Sequence, residues 1–339
     1  MLGIGVFALG SISGQLNVVL KAMVLLLFIP KFLLYKFRLI EVLLLVTFVL
    51  IAFYQIFTQA SPTVVTLEIS FLINIMLLIL IDKLSITNNV GIARAAYVIF
   101  LLACIVQVLF FFILTGEGML LRGDRNHSAV IITLLIFSYS YFFQHSNLTS
   151  LIILLNKSRN LLVGIVIFIF RDYVLSLFSK RKFLMFSFLL VSLFFINYLY
   201  FFLITYLKIT NIGSENNLSR LFVIFDGSNS YRFRLNNEFI AMVLEDWRSY
   251  LINTGIYSEL IDTMGLYPHN SYLQLIYRVG ILRGCMYLFL IILLVKKDNL
   301  VLIVALLCQS MFLHDILLSN IILLAFIMSK FNSINKEND

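Results

Sequence analysis

The chain has 339 residues, 61% of them hydrophobic and 12% charged, with a net charge of +8. Soluble domains carry about 25% charged residues, so this composition excludes a soluble globular enzyme and a disordered chain, and three Pro with 15 Gly exclude a collagen-like or linker-rich one. The positive charge does not describe a nucleic-acid-binding face, because Lys and Arg lie between hydrophobic runs, where the orientation rule for membrane proteins places them.

Met1 to about Gly14 is weakly apolar and interrupted by Gly and Ser. It has no basic n-region and no A-x-A cleavage site, so it reads as a partial span or surface segment rather than a removable signal peptide. Apolar runs follow at 16–35, 39–59, 62–81, 95–115, 129–145, 160–178, 183–207, 271–295, 299–313 and 316–331, with a shorter one at 147–157. A membrane helix needs about 20 apolar residues, and lipid leaves backbone groups no partner outside the segment. The expected fold class is therefore all-α, a polytopic membrane bundle of about 10–12 transmembrane helices. Residues 1–207 hold the N-terminal spans, 208–268 a large extracytoplasmic loop, 269–331 the C-terminal spans and 332–339 a polar cytoplasmic tail. Cys104, Cys285 and Cys308 all lie in apolar runs without a CxxC, and read as small buried side chains. No internal repeat emerges, nor the inverted halves of many secondary transporters.

Short basic clusters set the orientation. Lys36 with Arg38, Lys83, Lys180-Arg181-Lys182, Lys296-Lys297 and Lys330 with Lys336 all face the cytoplasm if the spans alternate and 147–157 crosses. The polar segments 116–128 and 208–268 then lie on the opposite side. The 61-residue loop 208–268 carries five basic and seven acidic residues, as a translocated loop should. Within it, Asn236 to Leu251 places Phe239, Met242, Val243 and Trp247 at helical spacing, with Asn236 or Asn237 as cap and Gly255 just past the end. This predicts an amphipathic helix on the outer surface or over the mouth of the bundle, either merely packing or gripping substrate.

Charges inside apolar runs are costly and suggest function. Asn156-Lys157-Ser158-Arg159-Asn160 splits the stretch 147–178, and Arg159 reads either as an anion clamp or as a snorkelling side chain at a span end. Arg171 and Asp172 are expected to neutralise each other. Ser228 to Arg234 puts Arg232 and Arg234 beside small polar and aromatic residues. A planar guanidinium suits a phosphate, and the competing reading is an exposed loop cation. Mid-span charges are few: Glu68, Arg94 and Asp315. Pro268 is followed at once by an apolar helix, so His269 and Asn270 sit at its N-terminus. A neutral His there can accept a hydroxyl proton; the alternative is a structural His.

Three features in order, Ser158-Arg159, Ser230-Tyr231-Arg232 and Pro268-His269-Asn270-Ser271-Tyr272-Leu273 leading to Gly280 and Gly284, carry a resemblance over about residues 145–295. There the chain resembles the O-antigen ligase and polysaccharide polymerase superfamily, the Wzy-type polymerases and WaaL-type ligases. The inserted Arg283 between the two glycines departs from the usual pattern. The resemblance implies a GT-C-like, inverting, metal-independent glycosyltransferase without cofactor at the outer face of the bacterial inner membrane. It would join undecaprenyl-diphosphate-linked repeat units into O-antigen or capsular polysaccharide, the donor and acceptor glycans being its partners, with a chain-length regulator and flippase of the same pathway. His269 would then activate the acceptor hydroxyl, and Asn270 would orient His269 or the acceptor. Arg159 and Arg232 would grip the diphosphate, with Arg220, Arg234, Arg278 and Arg283 in support. The alternatives are an O-antigen ligase and, in another class, a flippase or transporter of lipid-linked oligosaccharide.

Overall fold

The computed structural model describes residues 14–59, 62–83, 159–205, 227–252, 270–313 and 316–335, with short pieces between 98 and 137. All regular structure among them is helical. In chain order the helices are α1 (Gly14–Leu34), α2 (Leu39–Gln59), α3 (Pro62–Lys83), α4 (Arg159–Ile169), α5 (Arg171–Phe178), α6 (Lys182–Thr205), α7 (Gly227–Glu245), the single turn α8 (Ser249–Ile252), α9 (Ser271–Val279), α10 (Ile281–Leu294), α11 (Leu300–Gln309) and α12 (Asn320–Asn335).

Two of the described helices, Leu39–Gln59 and Val64–Lys83, are long and apolar enough to cross a membrane; the bent pair α4–α5 would make a third if it is one span. Their surroundings differ. From Phe71 to Asp82 nearly every side chain of α3 is buried, and α1, α2, α10 and α12 pack around it. A helix apolar all round belongs at the centre of such an arrangement. By contrast α2 exposes Leu39, Leu43, Val46, Leu50, Phe53 and Phe57, and α6 exposes Phe183, Phe188, Val191, Phe195 and Tyr198. Monomeric soluble proteins rarely expose contiguous apolar surface on this scale, which ties the chain to a membrane.

Two runs that read as continuous spans are broken. The run 160–178 bends by 74° between α4 and α5. At this bend Arg171 Nε lies 3.6 Å from Asp172, the expected self-neutralising pair. The run 271–295 breaks at Gly280 into α9 and α10. Gly280 has φ 83° and ψ 164°, a region open almost only to glycine. A Cβ there would meet the Leu251 carbonyl oxygen at 3.0 Å and the Ile252 carbonyl carbon at 3.1 Å. The break is thus where α8 docks, and Gln55 of α2 holds it from the other side, its Nε2 donating to the Ile252 carbonyl at 2.8 Å. Gly280→Ala is expected to cost about 1–3 kcal/mol, read as a lowered thermal unfolding midpoint of the purified protein. Gly284→Ala is the control: its Cβ would meet Leu275 at an ordinary 3.4 Å.

The described helices share two ends. At one, α2 begins, α3 finishes, α6 begins and α10 finishes. Arg38 bonds Glu41 (2.5 Å) and approaches Asp82 (3.7 Å), Lys83 pairs with Glu41 (2.9 Å), and Lys296 pairs with Asp82 (2.6 Å). The Arg38 amide also donates to Glu41 Oε2 at 2.9 Å, the reach-back half of a capping box. Lys182 donates to the Val295 carbonyl just past α10, where the helix dipole favours a cation. The basic clusters around residues 36–38, 83, 180–182 and 296–297 therefore share one end. At the other end lie α8, Gln55, Asn270 and the α11–α12 turn. The spans expected at 95–115 and 129–145 are described only in pieces, and the 147–157 run lies outside the described residues. Cys285 and Cys308 are free and half-buried; Cys104 lies outside the described residues.

Candidate functional site

The start of α9 is tied by several hydrogen bonds to the end of α11 and the turn that follows it. Asn270 is completely buried. Its Oδ1 accepts from the amides of Tyr272 (2.9 Å) and Leu273 (3.2 Å), capping α9, while its Nδ2 donates to the Met311 carbonyl at 2.9 Å. The Ser271 amide donates to the Ser310 carbonyl at 2.8 Å. Ser271 Oγ donates to the Leu313 carbonyl and accepts from the Ile316 amide at 3.0 Å. Tyr272 Oη donates to the Leu307 carbonyl at 2.8 Å. Asn270 therefore anchors the backbone that carries His269, which itself lies outside the described residues. Asn270→Ala loses the cap, the two amide bonds to its Oδ1, about 1 kcal/mol, and leaves the Met311 carbonyl buried without its partner, a further cost of about 1–3 kcal/mol. A fall in the thermal unfolding midpoint larger than that of Gly280→Ala is expected.

The same turn holds the start of α4. Gln309 Nε2 donates to the Asn160 carbonyl at 2.7 Å and to Thr133 Oγ1 at 2.8 Å. Gly164 permits this approach: a Cβ there would lie 2.7 Å from Thr133 Oγ1 and 3.1 Å from Gln309 Nε2. Consecutive residues Gln309, Ser310 and Met311 thus hold both Asn160, next to Arg159, and Asn270, next to His269. Two motifs distant in sequence converge on one turn.

The loop helix forms, with different limits from those the spacing predicts. It begins at Gly227 and takes in Ser228 to Arg234, so Asn236 and Asn237 are interior positions rather than caps. It ends at Glu245, and a turn through Trp247 leads to α8. Phe239 is its buried anchor, with edge-on ring contacts to Tyr250 and to Tyr277 of α9, both at 5.8 Å. Leu273 completes this small second core. Trp247 is exposed, with Arg248 5.8 Å from its ring centre.

Among the arginines, Arg232 on α7 is half-buried and Arg159 opens α4, while Arg220 lies outside the described residues. Arg234 is exposed and lies 3.5 Å from Glu238 one turn on, the geometry of a surface pair worth little. Arg278, in the last turn of α9, lines a small cleft open to its surroundings, with Glu68, Ser70, Phe71, Asn74, Val279 and Leu318. Arg283 is different again: it is wholly buried. Its Nη1 bonds Glu68, its Nε donates to the Val279 carbonyl at 2.7 Å, and its guanidinium lies 6.0 Å from the Phe71 ring centre. This is a structural ion pair between α10 and α3, not a free anion grip. Close by, buried Lys21 of α1 donates to Asn74 at 2.8 Å, and Asn74 donates to the Leu318 carbonyl at 3.3 Å.

Sequence reading had singled out Glu68 and Arg283 separately and missed their pairing. It passed over Lys21, Gln55 and Gln309 altogether. Each of these is a polar residue within an apolar run, where a polar group is costly unless it has a partner or a task; of the other mid-span charges, Arg94 and Asp315 lie outside the described residues. Compared with protein-family models, with curated proteins and with solved structures, the chain matches none.

Proposed function

We propose that this chain is a multi-pass glycosyltransferase of the bacterial cytoplasmic membrane that polymerises undecaprenyl-diphosphate-linked repeat units into O-antigen or capsular polysaccharide. The observation that carries the reading is the convergence of the Arg159 and His269 motifs on residues 309–311. The Arg232 helix is tied to the same place through Phe239, Leu273 and Tyr277. Arg232 stands seven residues before Phe239, about 10 Å along the helix, and Leu273 stands three after Asn270. In this reading the basic end faces the cytoplasm and the motif end faces outward.

In the reaction, His269 takes the proton of the acceptor sugar hydroxyl. The freed oxygen attacks the anomeric carbon of the donor from the face opposite the diphosphate. The bond from that carbon to the diphosphate oxygen breaks, and the carrier leaves with both its phosphates. Arg159 and Arg232 hold the leaving diphosphate, where developing charge is best stabilised by preset donors. Asn270 serves by fixing the backbone of its neighbour.

Ligation of finished glycan to lipid A core uses the same chemistry with a different acceptor. A second reading, a transporter of lipid-linked oligosaccharide, draws on the buried charges Lys21, Glu68 and Arg283 beside the Arg278 cleft, since intramembrane charges often mark a transport path. A polysaccharide gel from cells lacking the protein separates the three. Single repeat units on the final acceptor, with a ladder restored by wild type, support polymerisation. Long glycans stranded on the carrier mean ligation. Loss of glycan from the final acceptor, with single units left on the carrier, means transport.

A further inference from the structure

We infer that the basic end of the helices is a binding surface for anionic phospholipid headgroups. The inference rests on the chain's lying in a membrane and not on its being a transferase. Around this end stand eight basic residues (Lys36, Arg38, Lys83, Lys180, Arg181, Lys182, Lys296 and Lys297) and three acidic ones, Glu41, Asp82 and Asp298. Ion pairs and a hydrogen bond gather these residues from four separate segments: Arg38 and Lys296 both reach Asp82, and Lys182 donates to the carbonyl next to Lys296.

Their arrangement is layered. Glu41 and Asp82 are buried and face inward onto Arg38, Lys83 and Lys296. Lys36, Lys180, Arg181 and Lys297 are exposed, and none of them has a carboxylate partner among the described residues. The inner carboxylates thus pin the cluster together, and the outer cations are left with unspent charge. Directly below them, α2 and α6 begin with exposed Leu39, Phe183 and Leu184. Cations immediately above an apolar flank match a phospholipid, whose phosphate sits just above its acyl chains. A soluble anion or an acidic protein segment would make no use of that flank.

The test uses the full-length protein in a neutral detergent, titrated with phosphatidylglycerol or phosphatidylcholine and read by native mass spectrometry. Preferential, salt-sensitive binding of phosphatidylglycerol is expected. A juxtamembrane cation near an anionic surface is worth about a fivefold change in affinity, so K36S/R181S/K297S is expected to weaken that binding about a hundredfold. K36R/K297R keeps it, and Arg248→Ser, in the turn at the other end, leaves it unchanged. Equal binding of both lipids, or a triple variant that binds like wild type, overturns the inference. So does displacement of phosphatidylglycerol by millimolar inorganic phosphate, which would mark a free-anion site. Were the triple variant to misfold, the single Lys297→Ser with its fivefold loss and reduced salt dependence decides the matter.

Discussion

Glu68→Ala or Arg283→Ala alone is expected to deplete the folded protein, while Glu68→Met combined with Arg283→Met restores it. Both side chains are buried, and they are each other's ion-pair partner between α3 and α10. Removing one strands the other as an uncompensated charge, at a cost of about 3–5 kcal/mol. That is a large share of the roughly 5–15 kcal/mol by which a folded chain is stable. Replacing both removes the charge altogether, and an unbranched Met keeps most of the Arg stem's volume beside Phe71. Size-exclusion chromatography after graded heating, on the single and double variants, gives the result. Two single variants as stable as wild type would show that the pair does not hold α3 to α10.

His269→Ala is expected to lower glycosyl transfer by about 10²–10⁴-fold without lowering the thermal unfolding midpoint. Asn270, Ser271 and Tyr272, which follow His269, are held to the end of α11 and the turn after it through their own side chains. Arg232→Ala loses transfer as well. Arg232→Lys recovers part of it, because an ammonium keeps the charge but lacks the fork that binds phosphate at two points. Arg234→Ala serves as the contrast: its guanidinium lies on the exposed side of α7 beside Glu238, so a smaller loss is expected. A His269→Ala protein with undiminished transfer in membranes would remove the general base from the account.

The helical class and the outlines of α2, α3 and α6 were legible in the sequence, because each is a single apolar run with basic residues at one end. The breaks at Gly280 and Phe170 were not. Charges stand beside both, Arg171 and Asp172 at one and Arg278 and Arg283 at the other, but a charge in an apolar run does not by itself announce a bend; the cause at Gly280 is a tertiary contact, the arrival of Leu251 and Ile252 from α8. The start of α7 was missed for a similar reason. Gly227 to Arg234 is polar and lacks an apolar stripe, and its helix continues a segment anchored further on by Phe239. For the site, the residue types at 159, 232 and 269–270 could be picked out by chemistry, but the meeting of their neighbours Asn160 and Asn270 could not. It lies at Gln309, Ser310 and Met311, which serve through an amide side chain and two backbone carbonyls, and backbone carbonyls leave no mark on a sequence. Asn270 shows the same limit: its type was noticed, yet its work as cap and anchor follows only from where Tyr272, Leu273 and Met311 lie.

The most direct measurement is glycosyl transfer by the purified protein in liposomes, supplied with a lipid-diphosphate-linked repeat unit from its own host and no other protein. A ladder of carrier-linked oligomers, absent with His269→Ala, is the predicted result. Substrate that stays a single unit under wild-type protein, while crossing to the other leaflet, would contradict the account and leave the transporter in its place.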